Sequence, residues 1–193
     1  MRSLTLGLIR HGETDWNVQS RLQGTSDIPL NENGIRQAVA AARAIDGSEW
    51  DLVISSPLSR ARDTARIISD ANALGEVEID QLLLERAFGE AEGLNYHDWK
   101  LTHDPRQGIP GGESLVELEA RARKCLEVFA ERYASKRVLA VSHGAFIRKL
   151  VRIASNKQLP LEGDRFANTS LTKLVFDGDQ WTVSYYNPVS LSV

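Results

Sequence analysis

The chain alternates short apolar runs with segments whose apolar positions recur at helical spacing, and that alternation predicts an α/β fold. Residues 4–9 form the first predicted strand. Asn31 can cap a following helix whose apolar face is Ile35, Ala38, Val39, Ala42 and Ile45. A second strand at 52–55 leads into a helix carrying Leu58, Ala61, Ala65 and Ile68, and a third strand is read at 76–79. Leu115, Leu118, Ala122, Cys125 and Phe129 again recur at helical spacing. Residues 137–141 read as a fourth strand and 145–153 as the helix after it. Two last strands, 170–176 and 181–186, flank Asp177-Gly178-Asp179, whose turn composition predicts an antiparallel hairpin.

Between residues 88 and 112 the periodicity breaks down into glycines, prolines, His97, His103 and turns bearing Tyr96 and Trp99. Long irregular segments in compact domains tend to carry function. No internal repeat, low-complexity tract or linker interrupts the chain. It reads as one domain over 1–193, with about 86–135 an insertion forming one wall of a cleft.

Composition narrows the function. The 193 residues suffice for one well-cored domain and are few for two. With 42% hydrophobic and 25% charged residues the chain reads as an ordinary soluble protein, expected in the cytoplasm. A net charge of -3 argues against a nucleic-acid-binding surface, yet leaves room for a small anionic substrate that needs only local positive charge. The single cysteine, Cys125, excludes an internal disulfide and any multi-cysteine zinc site, and its spacing reads as a packed thiol. The first apolar run is short and interrupted by Arg10-His11, so neither a signal peptide nor a membrane anchor is expected.

Charged residues cluster just after the predicted strands: Arg10 and His11 after the first, Arg60 past the second, Glu85 after the third, and His143 after the fourth. Ligands of open α/β sheets bind beyond the carboxyl ends of the strands. Two arginines, two histidines and one carboxylic acid at those ends make a cationic pocket containing a proton donor. Phosphoryl transfer needs those parts: positive groups on the phosphoryl oxygens, a nucleophile, and a proton for the leaving oxygen.

Six motifs, in order along nearly the whole chain, resemble the histidine phosphatase (phosphoglycerate mutase-like) superfamily. Leu8-Ile9-Arg10-His11-Gly12-Glu13-Thr14 with Asn17 is similar to its signature, and Gln23-Gly24, Asp27, Pro29-Leu30 and Gly34 to the segment after it. Ser55-Ser56-Pro57-Leu58-Ser59-Arg60-Ala61 resembles the phosphoryl-binding motif. Leu84-Glu85, Phe88-Gly89 and Glu92-Gly93 resemble the block with the general acid. Gly111-Gly112-Glu113-Ser114 opens the next helix, and Val141-Ser142-His143-Gly144 is similar to the second-histidine motif.

The resemblance implies a three-layer sandwich around a mixed, mostly parallel six-stranded sheet, with a small helical or loop insertion over the site. It implies that His11 attacks phosphorus as a neutral imidazole and that Arg10, Arg60 and His143 hold the phosphoryl oxygens. Glu85 would protonate the leaving alkoxide and then deprotonate water. Asn17, Gln23, Gly24, Arg86 and Gly144 complete the expected substrate- and phosphate-binding set. No metal-ligand spacing is present, and neither a metal nor another cofactor is expected.

The implied activity is hydrolysis of a small phosphomonoester through phosphohistidine. One alternative is a cofactor-dependent phosphoglycerate mutase, disfavoured because the segment between Glu85 and His143 is short and its cleft portion offers only Lys100 and Arg106 beyond Arg86. Phe88 also stands where mutases tend to carry tyrosine. The other alternative is a silent phospho-ligand binder, disfavoured because both His11 and Glu85 are present. Neither a nucleic acid nor a membrane is expected as partner, and a homodimer is left open. Glu117, Glu119, Arg121, Arg123 and Lys124 read as a solvated helix face, Trp16 and Trp99 as packing or cleft walls, and Asn168 as a turn residue.

Overall fold

The structure, a computed structural model, describes residues 3–104 and 108–190; Arg106 lies outside them. A six-stranded sheet is built from β1 (Leu4–Arg10), β2 (Leu52–Ser55), β3 (Glu78–Ile79), β4 (Arg137–Ser142), β6 (Leu171–Phe176) and β7 (Trp181–Tyr185). The strand order is β3-β2-β4-β1-β6-β7. β3, β2, β4 and β1 run parallel, and β6 and β7 add the antiparallel hairpin expected from Asp177-Gly178-Asp179. Two short strands, β5 (Asp164–Arg165) and β8 (Val189–Ser190), pair apart from the sheet. The helices are α1 (Asp15–Val18), α2 (Glu32–Ala44), α3 (Ser59–Asn72), α4 (Tyr96–Thr102), α5 (Leu115–Arg132) and α6 (Gly144–Ala154).

Successive strand residues point to opposite faces, and each face has its own helical cover. Leu4, Leu6 and Leu8 of β1 join Val138 and Ala140 of β4 against α5 and α6, where Cys125, Phe129, Phe146 and Ile147 are buried. Ile9, Leu139 and Val141 face the other way, onto Ala42 of α2 and Ala61, Ala65 and Ile68 of α3. The result is three layers, as the resemblance implied. Among the described residues no helix is long and apolar enough to cross a membrane.

Three expectations need correction. Ile35 and Val39 are exposed, at 47% and 37%, while Gly34, Ala38 and Ala42 form the buried face of α2. The small residues let α2 sit close to its neighbours, which excludes the large ones from the contact. Residues 88–112 are not wholly irregular: Gly89–Ala91 is a 3₁₀ turn and Asn95 caps α4 by accepting from His97 N at 2.9 Å. A seven-residue helix is too short to show a period, and Tyr96 and Trp99 pack instead in a satellite cluster with Leu22, Ala91 and Ile109. The insertion also ends before Leu115, because α5 buries Leu118, Ala122, Cys125, Leu126 and Phe129 and belongs to the main core.

The N-terminus of α2 presses on the loop after β1. A Cβ at Gly34 would meet the Glu13 carbonyl oxygen and lie 2.7 Å from the Glu13 nitrogen, and a Cβ at Gly12 would lie 2.5 Å from the Gly34 oxygen. Gly→Ala within a helix ordinarily stabilises by about 1 kcal/mol. Gly34→Ala should do the opposite, destabilising by about 1–3 kcal/mol because backbone must move to admit the methyl. Urea unfolding checks this, and a gain in stability would contradict the close approach.

Candidate active site

The carboxyl ends of β1, β2 and β4 open on one edge of the sheet. Arg10 is the last residue of β1. His11 follows it, its backbone N donating to Ser142 O at 3.0 Å. Gly12 N donates to Thr64 Oγ1 at 3.0 Å, and that hydroxyl donates to Arg60 O at 2.7 Å, so the turn after His11 is fastened to α3. From the opposite side Asn168 Nδ2 donates to His11 O at 2.8 Å. Asn168 is therefore more than a turn residue: it holds the backbone of His11.

The hydrogen bonding of His11 fixes which nitrogen is available. Its Nδ1 lies 2.7 Å from the Gly12 carbonyl oxygen. A carbonyl only accepts, so Nδ1 carries the proton and the lone pair of the neutral ring resides on Nε2. Burial, then the charges of Arg60 and Arg10, push the His11 pKa well below its usual 6.5, which leaves the ring neutral at pH 7. His143 is completely buried, with its ring centroid 5.1 Å from that of His11. Burial, then Arg60, keeps it neutral as well. Its Nε2 lies 2.8 Å from Ser56 Oγ, and its Nδ1 is buried with no partner among the described residues. His143 thus lies beside His11 and is not among the residues lining the cleft.

The cationic groups are held by backbone carbonyls. Arg60 is fully buried, and its Nη1 and Nη2 donate to Ser26 O at 2.7 Å and Gly24 O at 2.8 Å. Burial lowers its pKa to about 10, so it remains charged at neutral pH. Arg10 Nη1 donates to Phe166 O at 2.7 Å. In both arginines Nε is buried without a partner among the described residues.

Glu85 closes the site at the N-terminus of α6. Its Oε2 accepts from Ala145 N at 3.1 Å, and its Oε1 accepts from Phe146 N at 3.0 Å and Arg86 N at 2.9 Å. The unpaired N–H groups of a helix start and the helix dipole suit a carboxylate.

Two side chains that the sequence reading did not single out hold this frame. Arg121 was read as part of a solvated face, but it reaches under the acid loop and donates to Leu82 O at 3.0 Å and Leu84 O at 2.8 Å. It also pairs with Glu113 at 2.8 Å and lies 4.3 Å from the centre of the Phe146 ring. Helical spacing marks a face of α5 without showing that a loop lies across it. Glu92 accepts from Thr25 N and Ser26 N at 2.9 Å and from Phe88 N at 3.1 Å. Burial raises its pKa, but the hydrogen bonds from Ser26, Thr25 and Phe88 outweigh that and leave it below the usual carboxylate value. Glu92 thereby shapes the Gly24–Ser26 loop whose carbonyls hold Arg60.

The cleft over this edge has a volume of about 320 Å³, at the small end for a metabolite site. Asn17, Gln23, Gly24 and Gly144 line it, as expected, together with Arg10, His11, Arg60 and Glu85. Arg86 does not: its Nε donates to Glu113 O at 2.9 Å, and its guanidinium covers the Phe88 ring at 5.2 Å. Those two contacts hold the Arg86 side chain outside the lining. Trp16 and His97 are wall residues, whereas His103 stacks on Trp99 at 5.1 Å. Lys100 is exposed and outside the lining. Cations that the sequence did not place there, Arg21, Arg148 and Arg165, line the cleft instead.

Residues 6–188 match the model of the histidine phosphatase superfamily (branch 1). The chain is 38% identical over 180 residues to the uncharacterized phosphatase PhoE of Bacillus subtilis (strain 168), covering 93% of this chain and 92% of that protein. It is 34% identical over 196 residues to phosphoglycerate mutase-like protein 4 of Arabidopsis thaliana, covering 95% and 84%. The solved mycobacterial glucosyl-3-phosphoglycerate phosphatase aligns with a TM-score of 0.80 at 30% identity, covering 97% of this chain and 100% of that one.

The two buried neutral histidines make stability depend on pH. Unfolded, each takes up a proton below its ordinary value of 6.5, which the folded protein resists. The unfolded state then binds more protons. Their contribution is therefore complete above pH 6.5 and is lost as pH falls below it, at about 1.4 kcal/mol per pH unit for each histidine. Urea unfolding between about pH 7.5 and about pH 5.5 should show the slope, and His11→Gln should remove roughly half of it. A flat wild-type profile would contradict burial of both rings in neutral form.

Proposed function

Because this chain belongs to the histidine phosphatase superfamily, we propose that it hydrolyses the phosphomonoester of a small metabolite by way of a phosphohistidine. The observation that supports this reading is a neutral His11 whose Nδ1 is bound to the Gly12 carbonyl, leaving Nε2 free within electrostatic reach of Arg10 and Arg60.

In the first step Nε2 attacks phosphorus and the bond to the ester oxygen breaks. Glu85, protonated at that stage, gives its proton to the departing oxygen. Arg10 and Arg60 stabilise the charge on the phosphoryl oxygens, and their unpartnered Nε–H groups supply donors that backbone carbonyls do not occupy. His143, with its ring centroid 5.1 Å from that of His11 and its Nδ1 without a partner among the described residues, would offer that nitrogen as a further donor to the phosphoryl group. In the second step the Glu85 carboxylate takes a proton from water, whose oxygen attacks phosphorus. The P–N bond breaks, phosphate leaves and His11 regains its lone pair. Arginine provides the positive charge, so the route calls for no metal ion.

The mutase reading keeps one observation in its favour. The shortage of cations set against it does not hold, since Arg21, Arg148 and Arg165 line the cleft. Supplying 3-phosphoglycerate with and without 2,3-bisphosphoglycerate and following phosphorus by NMR separates the two: a phosphatase releases phosphate either way, while a mutase makes 2-phosphoglycerate only with the bisphosphate.

The phosphatase route is tested with p-nitrophenyl phosphate in EDTA. Wild type should release phosphate and carry acid-labile phosphate on the protein during turnover, and His11→Ala should lose both. Nitrophenolate leaves without needing a proton, so Glu85→Gln should give a burst of nitrophenol near one per protein and then accumulate phosphoenzyme. Hydrolysis that survives His11→Ala would overturn the assignment of the nucleophile.

A further inference from the structure

The cleft carries more positive charge than one phosphoryl group requires. Five arginines line it, against the single carboxylate of Glu85. Arg10 and Arg60 lie at its floor, where the reading above places the transferred group. The other three come from different elements: Arg21 follows α1, Arg148 is on α6 and Arg165 is on β5. None of the three has an ion-pair partner among the described residues.

The 164–166 segment, which supplies Arg165 and Phe166 to the lining, holds Arg148 as well. Arg148 donates through Nη2 to Asp164 O and lies 5.9 Å from the centre of the Phe166 ring. Arg10 takes the Phe166 carbonyl two residues further on. Arg165 stands between them in sequence and is exposed. Burial lowers the Arg10 pKa first, Glu85 opposes it, and Arg165 lowers it further, so Arg165 lies within electrostatic reach of Arg10. Arg21, in the same lining, sits 6.0 Å from the centre of the Trp16 ring. Like charges gathered in one cleft repel each other, and an anion held between them relieves that repulsion.

We propose that Arg148 and Arg165, together with Arg21, form a subsite for a second anionic group of the substrate, a carboxylate or a second phosphate. This rests on the reading of Arg10 and Arg60 as the phosphoryl site. The substrate class is then a small phosphomonoester anionic at both ends, its body lying between the Trp16 and Phe166 walls. Guanidinium forks match both carboxylate and phosphate geometry. Uncharged alkyl or aryl phosphates fill only the inner site.

Non-hydrolysable probes test the subsite without turnover. Calorimetry would compare propylphosphonate, 3-phosphonopropionate and propane-1,3-bisphosphonate on the wild-type protein. Both doubly anionic probes should bind about tenfold or more tightly than propylphosphonate, with an advantage that shrinks as salt is raised. If only one of them gains, that anion is the one recognised. Arg21→Gln and Arg165→Gln, at exposed positions chosen to spare the fold, should each cut the advantage about threefold or more; Arg148→Gln serves as a third variant. Equal affinity for all three probes would overturn the proposal, as would an advantage unchanged in Arg21→Gln and Arg165→Gln. A probe preference that depends on these arginines in a protein releasing no phosphate from p-nitrophenyl phosphate would uphold the subsite and remove the phosphatase reading instead.

Discussion

The site depends on two guanidinium groups kept charged inside the protein at the ends of parallel strands. Removing a charge from water costs several kcal/mol unless polar partners replace the hydration shell. Here those partners are mostly backbone carbonyls: Ser26 and Gly24 for Arg60, and Phe166 for Arg10. Carbonyls stabilise a cation without neutralising it, so the positive field persists in the cleft. The loops that supply the carbonyls must therefore be held firmly, which gives Glu92 its place. Any side chain on Gly24, which has a φ of 54°, would run into the Glu92 carboxylate.

Burial first, and that field second, set the state of the histidines. A ring in such surroundings gives up its proton easily, and the Gly12 carbonyl decides which nitrogen retains one. The positive charge that reinforces burial in keeping Nε2 unprotonated would also stabilise negative charge developing on a phosphoryl group. Under the proposed reading, the nucleophile and its electrostatic support would share that charge. Glu85 is anchored on α6, a different element from those carrying His11 and Arg60, so the proposed acid and nucleophile would be held by separate elements.

Much of this was legible in the sequence because two local periods carry it. Short apolar runs along Leu4–Arg10 and Arg137–Ser142 mark strands covered on both faces, and helical spacing identifies α3 and α6. Arg10, His11, Arg60 and His143 were found because they directly follow strands or begin the next helix, where α/β sheets bind ligands. The failures involve contacts between segments distant in sequence. Arg121 looks like any polar residue of a helix until Leu82 and Leu84 are known to lie over it. Asn168 reaches His11 across 157 positions, and Glu92 reaches Ser26 across 66. Arg148 and Arg165 belong to a helix and a short strand that carry no phosphate-binding signal of their own, and only the fold brings them to the cleft. Ile35 and Val39 failed differently: a small-residue face was mistaken for part of a larger apolar one.

The central claim is that His11 is held neutral with its proton on Nδ1 and its lone pair on Nε2. Nitrogen-15 NMR of the histidine side chains, followed from neutral to mildly acidic pH, measures this directly, with His11→Gln assigning the resonances. The account requires a protonated Nδ1 and a bare Nε2 at pH 7, and a ring that stays neutral well below 6.5. A His11 that titrates near its ordinary value, or that carries its proton on Nε2, would contradict it.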